Sequence, residues 1–156
     1  MSNTFKIIIS IIICEGVGFV AGIATSKSIG EWYQFLNKPS FNPPNWIFGP
    51  VWTILYLMMG ISLFLIWKEG LDISGVKFAI IFFIIHLLIN ALWSFVFFRW
   101  HSPGFAFIVI IVLWLMILIS IVLFNKINPT ASLLLIPYLL WVSFASVLNF
   151  SIWKLN

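Results

Sequence analysis

The chain has 156 residues, of which 63% are hydrophobic and only 8% charged, with a formal net charge of +4. Soluble domains carry about 25% Asp, Glu, Lys and Arg, so this composition cannot clothe a water-facing surface. With a mean hydropathy of +1.17 and a pI near 9.5, the basic balance describes a membrane protein with lysines at its helix ends, not a nucleic-acid binder.

An apolar span of roughly 20 residues crosses a bilayer, and five are read, at about 5–25, 45–67, 77–98, 104–124 and 131–153. Residues 1–156 are therefore read as a single all-α domain, a bundle of five transmembrane helices. In the first span, Lys6, the run Ile7 to Ile13 and Gly22-Ile23-Ala24 have the outline of a signal peptide, but the apolar length and internal Glu15 suit a retained helix better. Ser10, Cys14, Gly18 and Gly22 recur at i+4 steps, the pattern of a helix-packing seam. Cys14 is the single cysteine, so there is no disulfide framework.

The first loop carries Ser28-Ile29-Gly30-Glu31, which fits a capping box, followed by apolar residues at Ile29, Trp32, Tyr33 and Leu36. A short amphipathic helix is expected there. Trp32 and Tyr33 make it either an interfacial anchor or a lid. Asn42-Pro43-Pro44 reads as a cap and proline start for the second span. Within that span Pro50 cannot donate a hydrogen bond and frees the carbonyl of Trp46, so this face should look into the protein or a cavity. Gly70 is placed to end the helix in a left-handed conformation.

In the third span His86, Asn90 and Ser94 form one stripe at i, i+4, i+8, with Asn90 about 13 Å from the first-loop face. Polar groups in lipid face inward, to neighbouring helices or a ligand cavity. Ser102-Pro103-Gly104 starts the fourth span, and Asn128-Pro129-Thr130 starts the fifth. In the fifth span Pro137 frees the carbonyl of Leu133, while Tyr138, Trp141, Ala145 and Asn149 run along one side.

Of the nine tryptophans, Trp32, Trp46, Trp67, Trp100 and Trp153 sit at or near span ends, as an aromatic belt requires. Trp52, Trp93, Trp114 and Trp141 lie inside spans. Trp52, Trp93 and Trp141 fall about 10, 9 and 18 Å from the first-loop face and group on that side with the polar stripe. A cavity walled by aromatic rings with few polar groups suits a flat apolar ligand. The two histidines are isolated, so no metal site is expected, and no phosphate loop, nucleophile elbow or acid pair is present. Any catalysis would run through a bound photoactive or redox-active ligand. Lys6, Lys68, Lys77 and Lys126 balance Lys27, Lys38, Arg99 and Lys154 across the membrane, so the positive-inside rule returns a tie.

The stretch Pro39 through Tyr56 with Met58-Met59-Gly60, then Asn90-Ala91-Leu92-Trp93-Ser94 with Phe97-Phe98, then Pro137 through Ala145 with Leu148-Asn149-Phe150, resembles the tryptophan-rich sensory protein or translocator protein family. The match covers essentially the whole chain. The resemblance implies a five-helix bundle, often dimeric, in a membrane, here a bacterial cell membrane. It implies a pocket for porphyrins, benzodiazepine-type drugs and in some members sterols, with no obligatory cofactor. A sensory or detoxifying role follows, with light-dependent porphyrin degradation or porphyrin transport as alternatives. Trp52 and Trp141 match the family tryptophans implicated in that degradation, Asn90 a pocket amide and Ala145 a pocket alanine. The ligand-binding set is completed by Tyr56, Trp93, Ser94, Tyr138 and Asn149. Two departures stand out: Phe41 replaces a loop tryptophan, and Phe150 replaces the tyrosine of a sterol-recognition pattern, which argues against sterol transport.

Overall fold

In the computed structural model, which describes residues 1–156, every regular element is helical. The elements are α1 (Asn3–Glu31), a 3-10 turn at Tyr33–Phe35, α2 (Asn45–Trp67), α3 (Val76–Ser94) continued by a π turn at Phe95–Arg99, α4 (Pro103–Asn125), α5 (Pro129–Leu133) and α6 (Ile136–Leu155). Taking α3 with its π turn, and α5 with α6, five helices are long and apolar enough to cross a membrane. The chain is a multi-pass membrane protein.

One start and one stop follow the sequence reading closely. Asn128 accepts a hydrogen bond from the Ala131 amide at 3.2 Å, ahead of Pro129. Gly70 adopts φ 115° after Trp67, a conformation that side chains resist. Three others differ. α1 runs unbroken through Ser28 to Glu31, so the capping box does not form. Inside a continuous helix the amides that Ser28 would have capped are already bonded, and the Ser28 hydroxyl is buried without a partner. The short helix of the first loop begins at Tyr33 instead. α2 starts at Asn45 behind Pro44, leaving Asn42 outside the helix to accept a hydrogen bond from Tyr33. At the fifth span, Pro137 has no amide proton, and the chain tightens into Leu134 to Thr130 and Leu135 to Ser132 bonds that divide α5 from α6.

α1 lies along α2, and α4 packs between α3 and α6. Ser10 and Cys14 are fully buried in the α1 seam. At Gly60 a Cβ would stand 2.8 Å from the Ile11 backbone, so the two helices approach as closely as a glycine permits. Ser62 donates to the carbonyl of Ala131 at 2.7 Å and docks α5 on α2. At the first-loop side, Asn37 and Asn156 exchange backbone and side-chain hydrogen bonds of 2.9 and 3.0 Å. That clasp joins the α1–α2 loop to the end of α6.

Candidate ligand cavity

Between α1, α2, the end of α3 and α6 lies a half-open cavity of about 860 Å³, lined by 27 residues. Each wall has a sequence reason. α2 presents Trp46, Gly49, Trp52, Thr53 and Tyr56, one helical face, and the Thr53 hydroxyl donates back to the Gly49 carbonyl at 2.8 Å. The Trp46 carbonyl freed by Pro50 therefore belongs to a helix face bordering open space. The π turn re-aims Phe97 and Phe98, both buried, so that Trp93, Ser94 and both phenylalanines reach the same cavity. α6 contributes Trp141, Ala145, Leu148, Asn149 and Ile152.

Most of the residues singled out from sequence converge here. Trp52, Tyr56, Trp93, Ser94, Trp141, Ala145 and Asn149 are on the wall. Asn90 and Tyr138 are not. They lie behind it, 1% and 0% exposed, and hold Tyr56 in place. Tyr56 donates to Oδ1 of Asn90 at 2.6 Å, the Asn90 amide donates to the Tyr138 hydroxyl at 2.6 Å, and that hydroxyl lies 2.7 Å from Nε2 of His86. Nδ1 of His86 sits 3.0 Å from the carbonyl of Phe83, which can only accept, so Nδ1 carries the proton and Nε2 is bare. Tyr138 therefore donates to His86. The chain is fully satisfied in one direction only, from Tyr56 to Asn90, and from Asn90 through Tyr138 to His86.

The loop residues divide. Tyr33 is 2% exposed, lines the cavity, donates to Asn42 at 2.9 Å and packs on Phe97 and Phe98. Burial pushes its phenol up from 10.0 to about 12. Trp32 points away from the cavity. It stacks on His101 at 4.5 Å, where His101 takes the left-handed φ of 52° that turns the chain from α3 into α4.

Sequence reasoning missed the share of α1. Glu15, Gly18, Gly22 and Ile29 all border the cavity, and Gly18 leaves the slot that the Tyr56 ring fills, since a Cβ there would stand 2.5 Å from it. The glycines signalled close approach, but the partner is a side chain and an open space as much as a helix. Phe48, which sets its ring edge against Trp141, gave no polar or periodic signal at all.

Few polar groups on this wall are free. Asn149 accepts from Trp93 at 2.9 Å and donates to the Pro103 carbonyl at 2.8 Å. Thr25, Ser26 and Thr53 donate to their own helices. What remains is the Glu15 carboxyl near the middle of α1, the Ser94 hydroxyl, the Asn45 amide at the mouth, and the indole N–H groups of Trp46, Trp52 and Trp141, the last of them buried without a partner.

A five-helix integral membrane protein with an aromatic-walled cavity opening toward one side is the class that fold and cavity define. The chain belongs to the TspO/MBR family, whose family model matches residues 10–154. It is 44% identical over 144 residues to "Tryptophan-rich protein TspO" of Chlorobaculum tepidum, covering 92% of this chain and 91% of that protein. The protein of the same name from Archaeoglobus fulgidus is 41% identical over 155 residues, 99% of each chain. The human "Translocator protein" is 34% identical over 127 residues, 81% of this chain and 75% of that one.

Proposed function

We propose that the cavity binds a flat, largely apolar macrocycle of the tetrapyrrole class, and that the protein serves as a membrane sensor or scavenger of that ligand. The observation that carries this reading is the wall itself: a half-open space of about 860 Å³ with a largely apolar lining that includes the rings of Trp46, Trp52, Trp93 and Trp141, and only a few uncommitted polar groups. Ligand cavities run to about 300–1,000 Å³, and apolar walls with few placed polar groups favour rigid, flat molecules. The names of two relatives, "Tryptophan-rich sensory protein" of Cereibacter sphaeroides and the human "Translocator protein", support a role in sensing or moving a ligand.

Titrating detergent-solubilised protein with protoporphyrin in the dark is the test. A saturable, shifted Soret band that is lost on filling the cavity supports the reading, and an unshifted band overturns it. A second reading, light-driven consumption of the ligand, is favoured by one specific feature. Trp52 and Trp141 both border the cavity, and the Trp52 N–H has no protein acceptor. Indoles in contact with an excited macrocycle are ready one-electron donors. Bleaching in light but not in dark, slowed in the Trp52→Phe, Trp141→Phe double variant, separates consumption from binding.

A further inference from the structure

We propose that Tyr138 and His86 form a proton-coupled electron donor that restores Trp52 after its indole has been oxidised. The inference takes its oxidant, a photoexcited porphyrin, from the light-driven reading above. Trp52 sits against two phenols, with ring centroids 5.6 Å from Tyr56 and 6.3 Å from Tyr138. Both are close enough to pass an electron. A phenol gives up an electron readily only if its proton leaves at the same time, so the group beyond each hydroxyl decides which one donates.

The hydroxyl of Tyr56 points at the amide oxygen of Asn90, which is not a useful base. The hydroxyl of Tyr138 points at the bare Nε2 of a neutral imidazole, 2.7 Å away. The Phe83 carbonyl at Nδ1 fixes that tautomer and stabilises the imidazolium once formed. Asn90 donates to the same phenol oxygen and orients it. Tyr138 is thus the one tyrosine beside Trp52 whose proton has a place to go. Trp141 lacks this arrangement: its ring neighbours are Phe48 and Phe144, and its buried N–H has no partner.

The step balances. The excited porphyrin takes one electron from Trp52, giving a porphyrin radical anion and an indole radical cation. Tyr138 passes one electron to that indole while its phenolic proton moves to Nε2 of His86. The products are neutral Trp52, a neutral Tyr138 phenoxyl radical and a His86 imidazolium, so the single positive charge is conserved. When an electron returns to the phenoxyl, the proton returns with it across the same hydrogen bond.

The experiment illuminates the protein with protoporphyrin and measures oxidised tryptophan by peptide mass spectrometry, with the Soret band of each sample reporting binding. Wild type is expected to accumulate oxidation at Trp141 and to spare Trp52. Tyr138→Phe and His86→Gln should raise oxidation at Trp52 several-fold and leave Trp141 unchanged. Glutamine still accepts the tyrosine hydrogen bond but is not a base, so a purely structural His86 would be rescued by it and a proton acceptor would not. Equal oxidation at Trp52 in wild type and both variants, with the Soret shift retained, overturns the proposal. If no Soret shift appears, the porphyrin reading fails, and ultraviolet flash photolysis of wild type tests the relay alone. An indolyl signal that decays into a phenoxyl signal, more slowly in heavy water, supports it; decay without phenoxyl overturns it.

Discussion

Ala145 is a small residue in contact with open space, on the helix face that carries Trp141. A larger side chain there has room to turn into the cavity, so Ala145→Phe should weaken porphyrin binding at least tenfold, about 1.4 kcal/mol, with an unchanged unfolding midpoint. Dark Soret titration measures the first and thermal unfolding the second. Asn90 behaves oppositely. It closes the bonds of two buried tyrosines, so Asn90→Leu strands the Tyr56 donor at a cost of about 1–3 kcal/mol and should lower stability before it alters ligand chemistry. Tyr33 gives a pH signature. Its folded phenol ionises near 12 against 10.0 when unfolded, so its contribution is intact below about pH 10 and is lost as pH rises toward about 12. Phenolate absorbance in folded Tyr33→Phe should lack that late-titrating group.

Between helices, three glycines on α1 and α2 that look alike in sequence should respond differently to alanine. Gly16 has nothing within 4 Å of a new Cβ, so Gly16→Ala should stabilise α1 by about 0.5–1 kcal/mol through helix propensity. At Gly18 the Cβ meets the Tyr56 ring at 2.5 Å, and at Gly60 it meets the Ile11 backbone at 2.8 Å. Gly18→Ala should shift Tyr56 off Asn90 and disturb the cavity, whereas Gly60→Ala should part α1 from α2 and lower the unfolding midpoint most. Thermal unfolding of the three variants orders them. The helix starts at Pro129 and Pro103 and the stop at Gly70 were legible because caps, prolines and left-handed glycines act within a few residues. The end of α1 was not. Lys27 and Glu31 read as loop, yet a helix already under way continues past charges that reach water.

At the scale of the bundle, five spans and the facing of Trp52, Trp93, Ser94, Trp141 and Ala145 could be read from hydrophobic length and i+4 spacing. The tyrosine–amide–histidine chain could not, because it joins α2, α3 and α6 and depends on distances that no single helix encodes. Cys14 reports on the whole assembly. It is fully buried against α2, so a membrane-permeant thiol reagent should label it only in unfolded protein, and labelling should track the unfolding transition.

The cavity draws on α1, α2, the end of α3 and α6, and α4 supplies none of its lining residues. Ile108, Val112 and Leu115 on α4 face outward, 60%, 44% and 48% exposed. That helix is a natural instrument mount: a fluorophore or spin label at Ile108 would sit on the frame without trespassing on the wall. A distance read from there to Trp52 or Trp141 would turn ligand entry into a ruler measurement on a single molecule.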